Sequence, residues 1–357
     1  MKDNLLIVGH GALGENIFES VAMDYLSKSY NIIFVCRERY RLFFESWEFI
    51  SKFVWVPESF NYGKEESSEA VCDFVMVQLG DIHINWIWEQ QQHISLKLLS
   101  RLGCAILQGD WGYVRRMSGH KHIYSQSENR FLRWSQNAEL LDTFDQRYRP
   151  LAKCVPDNVK KIVLYQGSWD RLRKIPPLTA TTLCGELQDL RNDYDVYYIY
   201  ENTHNMDTGR IEGVKYFENK CDHESALFVL NLFKSGVNLF IGPDAGLTNL
   251  AIAFDTPTIW LESRERIERI VPQCYLNEGL VTLFRKKEPS CKMDCAAGRH
   301  IKEFGSAILP ISPIINGWDY KMHEALDCRK GLQPDCMTYN KQDVADLLRV
   351  VSLRLNP

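Results

Sequence analysis

Residues 238–261 restrict what this chain can fold into more than any other stretch does. Leu239, Phe240 and Ile241 form a short apolar run that Gly242 and Pro243 end, which predicts a buried strand. The tight turn Pro243-Asp244-Ala245-Gly246 follows. Leu247, Leu250, Ala251 and Phe254 then recur at helical spacing, and Asp255-Thr256-Pro257 stops that helix before an apolar strand at 258–261. Strand, turn, helix and strand make a βαβ unit. The turn falls at the carboxyl end of a strand, where open α/β sheets bind ligands. With a helix starting near Gly246, free backbone amides and the positive end of the helix dipole face that crevice, an arrangement suited to a phosphate or diphosphate. Gly246 lets a ligand come close to the backbone. The bland alternative is that Asp244 is an N-cap and Gly246 a turn glycine.

The start of the chain uses a similar pattern. An apolar strand at 5–8 runs into Gly9-His10-Gly11-Ala12-Leu13-Gly14, and a helix follows at 15–28. Gly-x-Gly-x-x-Gly between strand and helix matches a dinucleotide-binding loop. That loop also calls for an acid at the end of the second strand to hold the ribose hydroxyls. The second strand, at 31–36, ends in Cys36-Arg37 and carries no acid, although Arg37 could meet the 2′-phosphate of NADP. An NADP-dependent oxidoreductase is therefore the alternative reading. In the competing one, the loop shapes a site for an acceptor molecule.

Further strands are expected at 52–56, 72–79 and 105–107, with helices at 38–47, 86–102 and 128–141. Pro150 and Pro156 lie in an aperiodic stretch, 142–160, that reads as a domain boundary. Beyond it, strands are expected at 161–165, 195–200, 214–217 and 280–284, and helices at 178–191, 224–234, 264–271 and 341–355. Asn340 with Asp343 makes a near capping box for the last helix, and Val344, Leu347, Leu348 and Val351 form its apolar stripe. A length of 357 residues also suggests two domains. The expected architecture is α/β: a Rossmann-like domain over 1–150, a second over 151–340, and a terminal helix, 341–357, placed to pack back on the first.

A net charge of −4 excludes a general attraction to nucleic acid. No run approaches the ~18 apolar residues of a membrane span. The apolar run at the amino end is too short for a signal peptide. These features lead to a cytoplasmic expectation, in which the eleven cysteines stay reduced or bind metal. Cys36, Cys72, Cys104 and Cys184 sit in apolar runs and read as small core residues. Cys291-x₃-Cys295, Cys328 and Cys336, with Cys274 and His300 nearby, could hold a structural zinc or iron ion, or remain reduced thiols. Asp193-Tyr194-Asp195 spells the D-x-D of metal-dependent sugar transferases. It falls at the amino end of a strand and reads as a turn.

Four pieces of the chain resemble glycosyltransferase family 9, the ADP-heptose:lipopolysaccharide heptosyltransferases. The sharpest is Gly242-Pro243-Asp244-Ala245-Gly246-Leu247-Thr248-Asn249-Leu250-Ala251, followed by Thr256-Pro257-Thr258. The others are Ala12-Leu13-Gly14-Glu15, Arg173-Lys174-Ile175-Pro176, and Asp335-Cys336-Met337 before the last helix. The resemblance implies two Rossmann-like domains facing across a cleft, the GT-B arrangement, with acceptor on the first and nucleotide-sugar on the second. It implies inverting, metal-independent transfer with no cofactor beyond the nucleotide-sugar, here possible as an ADP-linked heptose or hexose-like sugar. The acceptor is expected to be a bacterial glycan hydroxyl, and the enzyme peripheral to the inner membrane surface. Two positions depart from the family. Glu15 stands where the family has aspartate, and Asn249 where it has histidine.

Sugar transfer needs a base on the attacking hydroxyl and charge stabilisation on the leaving diphosphate. Glu15 is the candidate base, with His10 and Asp110 as alternates, and His10, Gly11 and Asp110 shape the acceptor side. Lys174 and the amides of Ala245, Gly246 and Leu247 would neutralise the leaving group. Asp244 and Asn249 complete that turn, and Glu201, after the second strand of the second domain, could meet the nucleobase and ribose. Trp86, Trp88, Trp111 and Tyr113 are candidates for an acceptor face, or else core residues. A non-catalytic binding protein of the same fold is the third reading.

Overall fold

The computed structural model describes residues 2–9, 13–62, 65–88, 92–106, 147–149, 151–167, 174–190, 193–201, 210–261, 273–285 and 338–356. The chain divides into two compact units, and among the described residues the break falls between Ala152 and Lys153.

The first unit runs β1 (Asp3–Val8), α1 (Leu13–Ser27), β2 (Tyr30–Arg37), α2 (Arg41–Phe44), β3 (Ile50–Val56), α3 (Ser68–Leu79), β4 (Trp86–Trp88), α4 (Gln92–Leu102) and β5 (Ala105–Ile106). Its five strands are parallel in the order β3-β2-β1-β4-β5. Leu5, Leu6, Ile7 and Val8 are fully buried, as a strand covered on both faces requires.

Three expectations for this unit are corrected. The apolar run 72–79 is not a strand but most of helix α3. Val71, Cys72, Val75 and Leu79 are buried, while Val77 is 76% exposed. That is helical periodicity, and the buried face packs with Ile94 and Leu98 of α4 in one core cluster. The stretch 86–102 is not one helix. Its first three residues form β4, paired with β1 from Leu5↔Trp86 to Ile7↔Trp88, and the helix starts only at Gln92. The expected helix at 38–47 is shorter too: a 3₁₀ turn, Glu38–Tyr40, and then α2.

The second unit runs β6 (Lys161–Tyr165), α5 (Pro177–Leu190), β7 (Asp195–Tyr200), β8 (Lys215–Glu218), α6 (His223–Lys234), β9 (Leu239–Pro243), α7 (Gly246–Ala253), β10 (Thr258–Leu261), α8 (Gln273–Asn277), β11 (Val281–Phe284) and α9 (Lys341–Leu355). Its six strands are parallel in the order β11-β10-β9-β6-β7-β8. The chain builds one half of this sheet outward from β6 and the other outward from β9. The direction of winding therefore reverses between these two strands, as it does between β1 and β4 in the first unit. Such a switch point opens a crevice at the carboxyl ends of the strands.

The terminal helix α9 is capped by the expected Asn340–Asp343 box, with both reciprocal hydrogen bonds at 2.9 Å. Val344, Leu347 and Val351 of its apolar stripe join the core of the second unit, with Ile162, Leu164 and Leu183. The helices expected at 128–141 and 264–271 lie outside the described residues. No helix among the described residues is long and apolar enough to cross a membrane.

Candidate functional site

The turn after β9 is shaped by close packing. A Cβ on Gly242 would lie 2.8 Å from Cε1 of Phe240 and 3.2 Å from Oγ1 of Thr248, so only glycine fits without displacement. Thr248 Oγ1 donates to the Pro243 carbonyl at 2.5 Å and draws the first turn of α7 back onto the end of β9. The N-cap of α7 is Ala245, in an extended conformation and with no side chain to cap the helix. Asp244 therefore precedes the cap instead of filling it, with a relative exposure of only 9%. The amides of Thr248 and Asn249 are bonded to the Ala245 carbonyl. Those of Gly246 and Leu247 fall in the first turn, where a helix has no carbonyl of its own to offer. Asn249, expected to reach a phosphate, donates its side-chain amide to Ala245 O at 3.3 Å.

The neighbouring strands β6 and β7 bring a second group of side chains to the same edge of the sheet. Register places Leu164 of β6 opposite Ile241 of β9, and Tyr165 opposite Ile199 of β7. Adjacent strands lie ~4.8 Å apart, so the ends of β9, β6 and β7 fall within about 10 Å. Past the end of β6, the Gln166 amide bonds to Ile199 O at 2.9 Å, which prolongs the ladder. Ile175 N donates to Gln166 O at 2.7 Å, and Gln166 Nε2 donates to Ile175 O at 3.3 Å. These bonds pin the segment carrying Lys174 to the strand end. Lys174 Nζ then donates to the backbone carbonyl of Glu201 at 3.3 Å. From the other side, the Tyr165 hydroxyl donates to Glu201 Oε1 at 2.6 Å.

Burial dominates the electrostatics here. It holds the Lys174 ammonium below the ordinary lysine range, against the pull of the Glu201 carboxylate. It also raises Glu201 above the ordinary carboxylate range, although the Tyr165 hydrogen bond and Lys174 both favour the charged form. The Tyr165 phenol is pushed well up by burial and by Glu201.

The structure thus brings Lys174 and Glu201 together, and sets Asp244, Ala245, Gly246, Leu247 and Asn249 on an adjacent strand end. Tyr165 and Gln166 are the residues that sequence reasoning missed. Their signal was present: a tyrosine closes an otherwise aliphatic strand interior, directly before Gln166-Gly167.

In the first unit, Gly9 follows β1. A Cβ there would lie 2.6 Å from Phe34 Cε2 and 2.7 Å from Asn16 Oδ1, and the Gly9 carbonyl accepts the Tyr62 hydroxyl at 2.6 Å. Glu15 lies in the first turn of α1, but its side chain is outside the described residues, as are His10, Gly11 and Asp110. The acceptor-side candidates therefore have a place in the chain but no described geometry. Arg37, which the NADP reading needs, is bound to Glu58 Oε2 at 2.7 Å, and Arg39 joins the same carboxylate. Of the expected aromatic residues, Trp86 donates its ring N–H to Asp3 at 3.1 Å, and the side chain of Trp88, with Trp111 and Tyr113, is outside the described residues.

The D-x-D sequence is occupied by lysines. Asp193 pairs with Lys160 at 2.8 Å and Asp195 with Lys215 at 2.5 Å, at the amino end of β7 and so opposite the crevice. Cys291, Cys295, Cys328 and Cys336 lie outside the described residues, and no metal-binding group of side chains is found among the described ones. Cys36, Cys72 and Cys184 are buried as expected, and Cys104 is partly so.

No family model matches the chain, and no curated protein sequence does. Solved structures do match. A glycosyltransferase family 9 protein of Veillonella parvula is 13% identical with a TM-score of 0.56, over 88% of this chain and 95% of its own. The E. coli heptosyltransferase WaaC, solved with ADP, is 15% identical with a TM-score of 0.56, over 78% of this chain and 92% of its own. The glycosyltransferase TibC of enterotoxigenic E. coli, described as iron-containing and dodecameric, is 11% identical with a TM-score of 0.56, over all of this chain and 78% of its own. The chain shares the α/β fold of these glycosyltransferases.

Proposed function

We propose that this protein is an inverting glycosyltransferase that moves a sugar from a nucleoside-diphosphate donor to a hydroxyl of a glycan acceptor. The observation that carries the reading is the site at the β6–β9 switch point. There a lysine ammonium, a helix start with no capping side chain and a partly buried carboxylate share one strand edge. These are the groups that a diphosphate flanked by a ribose requires.

In this reading the donor lies on the second unit. Lys174 and the amides of Gly246 and Leu247 hold the diphosphate, and Glu201 accepts hydrogen bonds from the nucleoside. The acceptor lies on the first unit, with Glu15 as base and His10 and Asp110 close to it in role. As the acceptor oxygen attacks the anomeric carbon, its proton passes to Glu15 and the bond from that carbon to the diphosphate breaks. Attack opposite the leaving group inverts the centre. Negative charge grows on the diphosphate as it leaves, and donors fixed in advance stabilise that charge most effectively.

Positive charge from Lys174 and the helix start takes the role a divalent cation plays in D-x-D transferases. Activity is therefore expected to persist in excess EDTA, and its loss there would count against metal-independent transfer. The adenine nucleotide bound by WaaC makes ADP-sugars the first donors to try. The oxidoreductase reading has no comparable support, because Arg37 is engaged by Glu58.

The test is a thermal-shift screen with ADP, GDP, UDP, AMP and NADPH. A ligand that binds only the folded chain raises the unfolding midpoint. At least one diphosphate should do so, AMP less and NADPH not at all. Stabilisation by NADPH alone would overturn the proposal.

A further inference from the structure

We propose that Tyr165 is a positioning residue that fixes the Glu201 carboxylate so that its second oxygen receives the ribose diol, selecting ribonucleoside over 2′-deoxyribonucleoside diphosphates. This deepens the donor reading above and rests on it.

Glu201 is held at both ends. Its backbone carbonyl accepts from Lys174 Nζ, and its Oε1 accepts from the Tyr165 hydroxyl at 2.6 Å. Among the described residues, no donor reaches Oε2. An ionised carboxylate only accepts hydrogen bonds, so whatever meets Oε2 must be a donor. The hydroxyls of a ribose are such donors, and a 2′-deoxyribose lacks one of them.

Tyr165 itself is rigid. It is 2% exposed, it sits in the central strand between β7 and β9, and its ring centroid lies 6.4 Å from that of Phe240. Phenylalanine would fill the same space without bringing a buried hydroxyl in need of a partner. The hydroxyl is explained by the carboxylate it holds, and the carboxylate stands at the ligand-binding edge of the sheet. Among the described residues, the charged and titratable groups acting on the pair are Lys174 on Glu201, and Cys221 on Tyr165. Because the phenol favours the ionised carboxylate, its removal should also raise the pH at which Glu201 takes up a proton.

The experiment compares wild type, Tyr165→Phe and Glu201→Gln in the full chain. Isothermal titration is run with ADP, GDP and UDP and with their 2′-deoxy counterparts. The wild type should prefer the ribonucleotide. Tyr165→Phe should weaken ribonucleotide binding roughly 10- to 150-fold, the worth of a hydrogen bond to a charged group. It should leave the 2′-deoxy nucleotide nearly unchanged. The acid limb of ribonucleotide affinity should move to higher pH in Tyr165→Phe, a shift that a merely structural role does not produce. Should Tyr165→Phe fail to fold, Glu201→Gln tests the same contact from its partner and must flatten the ribo-to-deoxy ratio.

If diphosphates bind but neither variant changes that ratio, the positioning role is overturned and the donor reading stands. If no nucleoside diphosphate binds the wild type, both are overturned.

Discussion

Replacing Lys174 by methionine separates a ligand-holding lysine from a structural one. Methionine keeps most of the apolar stem and removes the ammonium. In the free protein that ammonium is desolvated, and Nζ reaches Glu201 O at 3.3 Å, a long bond. Its folded-state pKa lies below the ordinary lysine value, so between the two values the unfolded chain binds more protons. Stability therefore rises with pH across that window and is lower beneath it, where the partly buried charge is retained at a cost. Removing the charge should leave the unfolding midpoint at pH 7.5 unchanged or raised. Binding should respond in the opposite direction. A charge-assisted hydrogen bond to phosphate contributes about 1.5–3 kcal/mol, so diphosphate affinity should fall roughly 10- to 150-fold. At a concentration 100 times the wild-type Kd, ligand stabilises wild type by about 2.7 kcal/mol. With affinity about 30-fold weaker the same concentration gives only about 0.9 kcal/mol. At about 2–4 °C per kcal/mol, the midpoint rise shrinks from about 5–11 °C to about 2–4 °C. The assay is differential scanning fluorimetry with and without nucleoside diphosphate, backed by calorimetric titration. A Lys174→Met protein that keeps the full ligand-induced rise refutes the assignment. So does one whose ligand-free form melts many degrees early.

Two further perturbations test the frame around the site. Gly9→Ala would drive a Cβ into Phe34, a buried ring boxed by Phe44, Trp47 and Phe53 at centroid distances of 6.2–6.5 Å. Overpacking of this kind costs about 1–3 kcal/mol, and Phe34→Leu in the same chain should recover part of it, as read from denaturant midpoints. Equal midpoints for Gly9→Ala and wild type would contradict the packing. Lys161, whose side chain is 4% exposed, bonds to the Asp157 carboxylate and to the carbonyls of Val159, Ser235 and Gly236 at 3.2–3.4 Å. Lys161→Met orphans these acceptors and should destabilise the second unit by about 1–3 kcal/mol. The hydrogen bond from Lys161 also holds Asp157 below the ordinary carboxylate range. The stability gained from that pair is present above the ordinary value and fades as pH falls through the depressed one, so acid unfolding should begin at higher pH in the variant.

Which parts of this were legible depends on how local each signal is. The strands around Gly242 and Gly9 are bounded by residues whose conformational limits act within a few positions, and both fall where expected. The capping box at Asn340 is likewise a three-residue matter. The run 72–79 misleads because eight consecutive residues of this apolarity suit a covered strand or one helical turn after another. Only the exposure of Val77 between buried Val75 and Leu79 decides for the helix. Trp86–Trp88 was absorbed into a helix because three residues carry no period of their own, and pairing with β1 makes them a strand. The site shows the same limit. The resemblance implied a diphosphate role for Lys174, and the place of Glu201 after a strand of the second domain pointed to the nucleobase and ribose. Their junction through Tyr165 depends on which side chains meet across β6 and β7, a consequence of register that no single segment encodes.

That junction also bears on what kind of ligand the crevice favours. Burial moves Lys174 and Glu201 in opposite directions, each toward its neutral form. Neither shift helps the empty protein, since each records a charge held where water would serve it better. A ligand that reversed both would need an anion at the Lys174 end and a hydrogen-bond donor at the Glu201 end. Orthophosphate supplies only the first and a free nucleoside only the second. A nucleoside diphosphate carries both on one frame, so it orders once and relieves two desolvated groups. Its binding free energy should therefore exceed the sum for the two halves measured separately, because the entropy of capture is lost only once. A strict sum, or a nucleoside that binds as well as its diphosphate, would mean that the two charged groups serve different purposes.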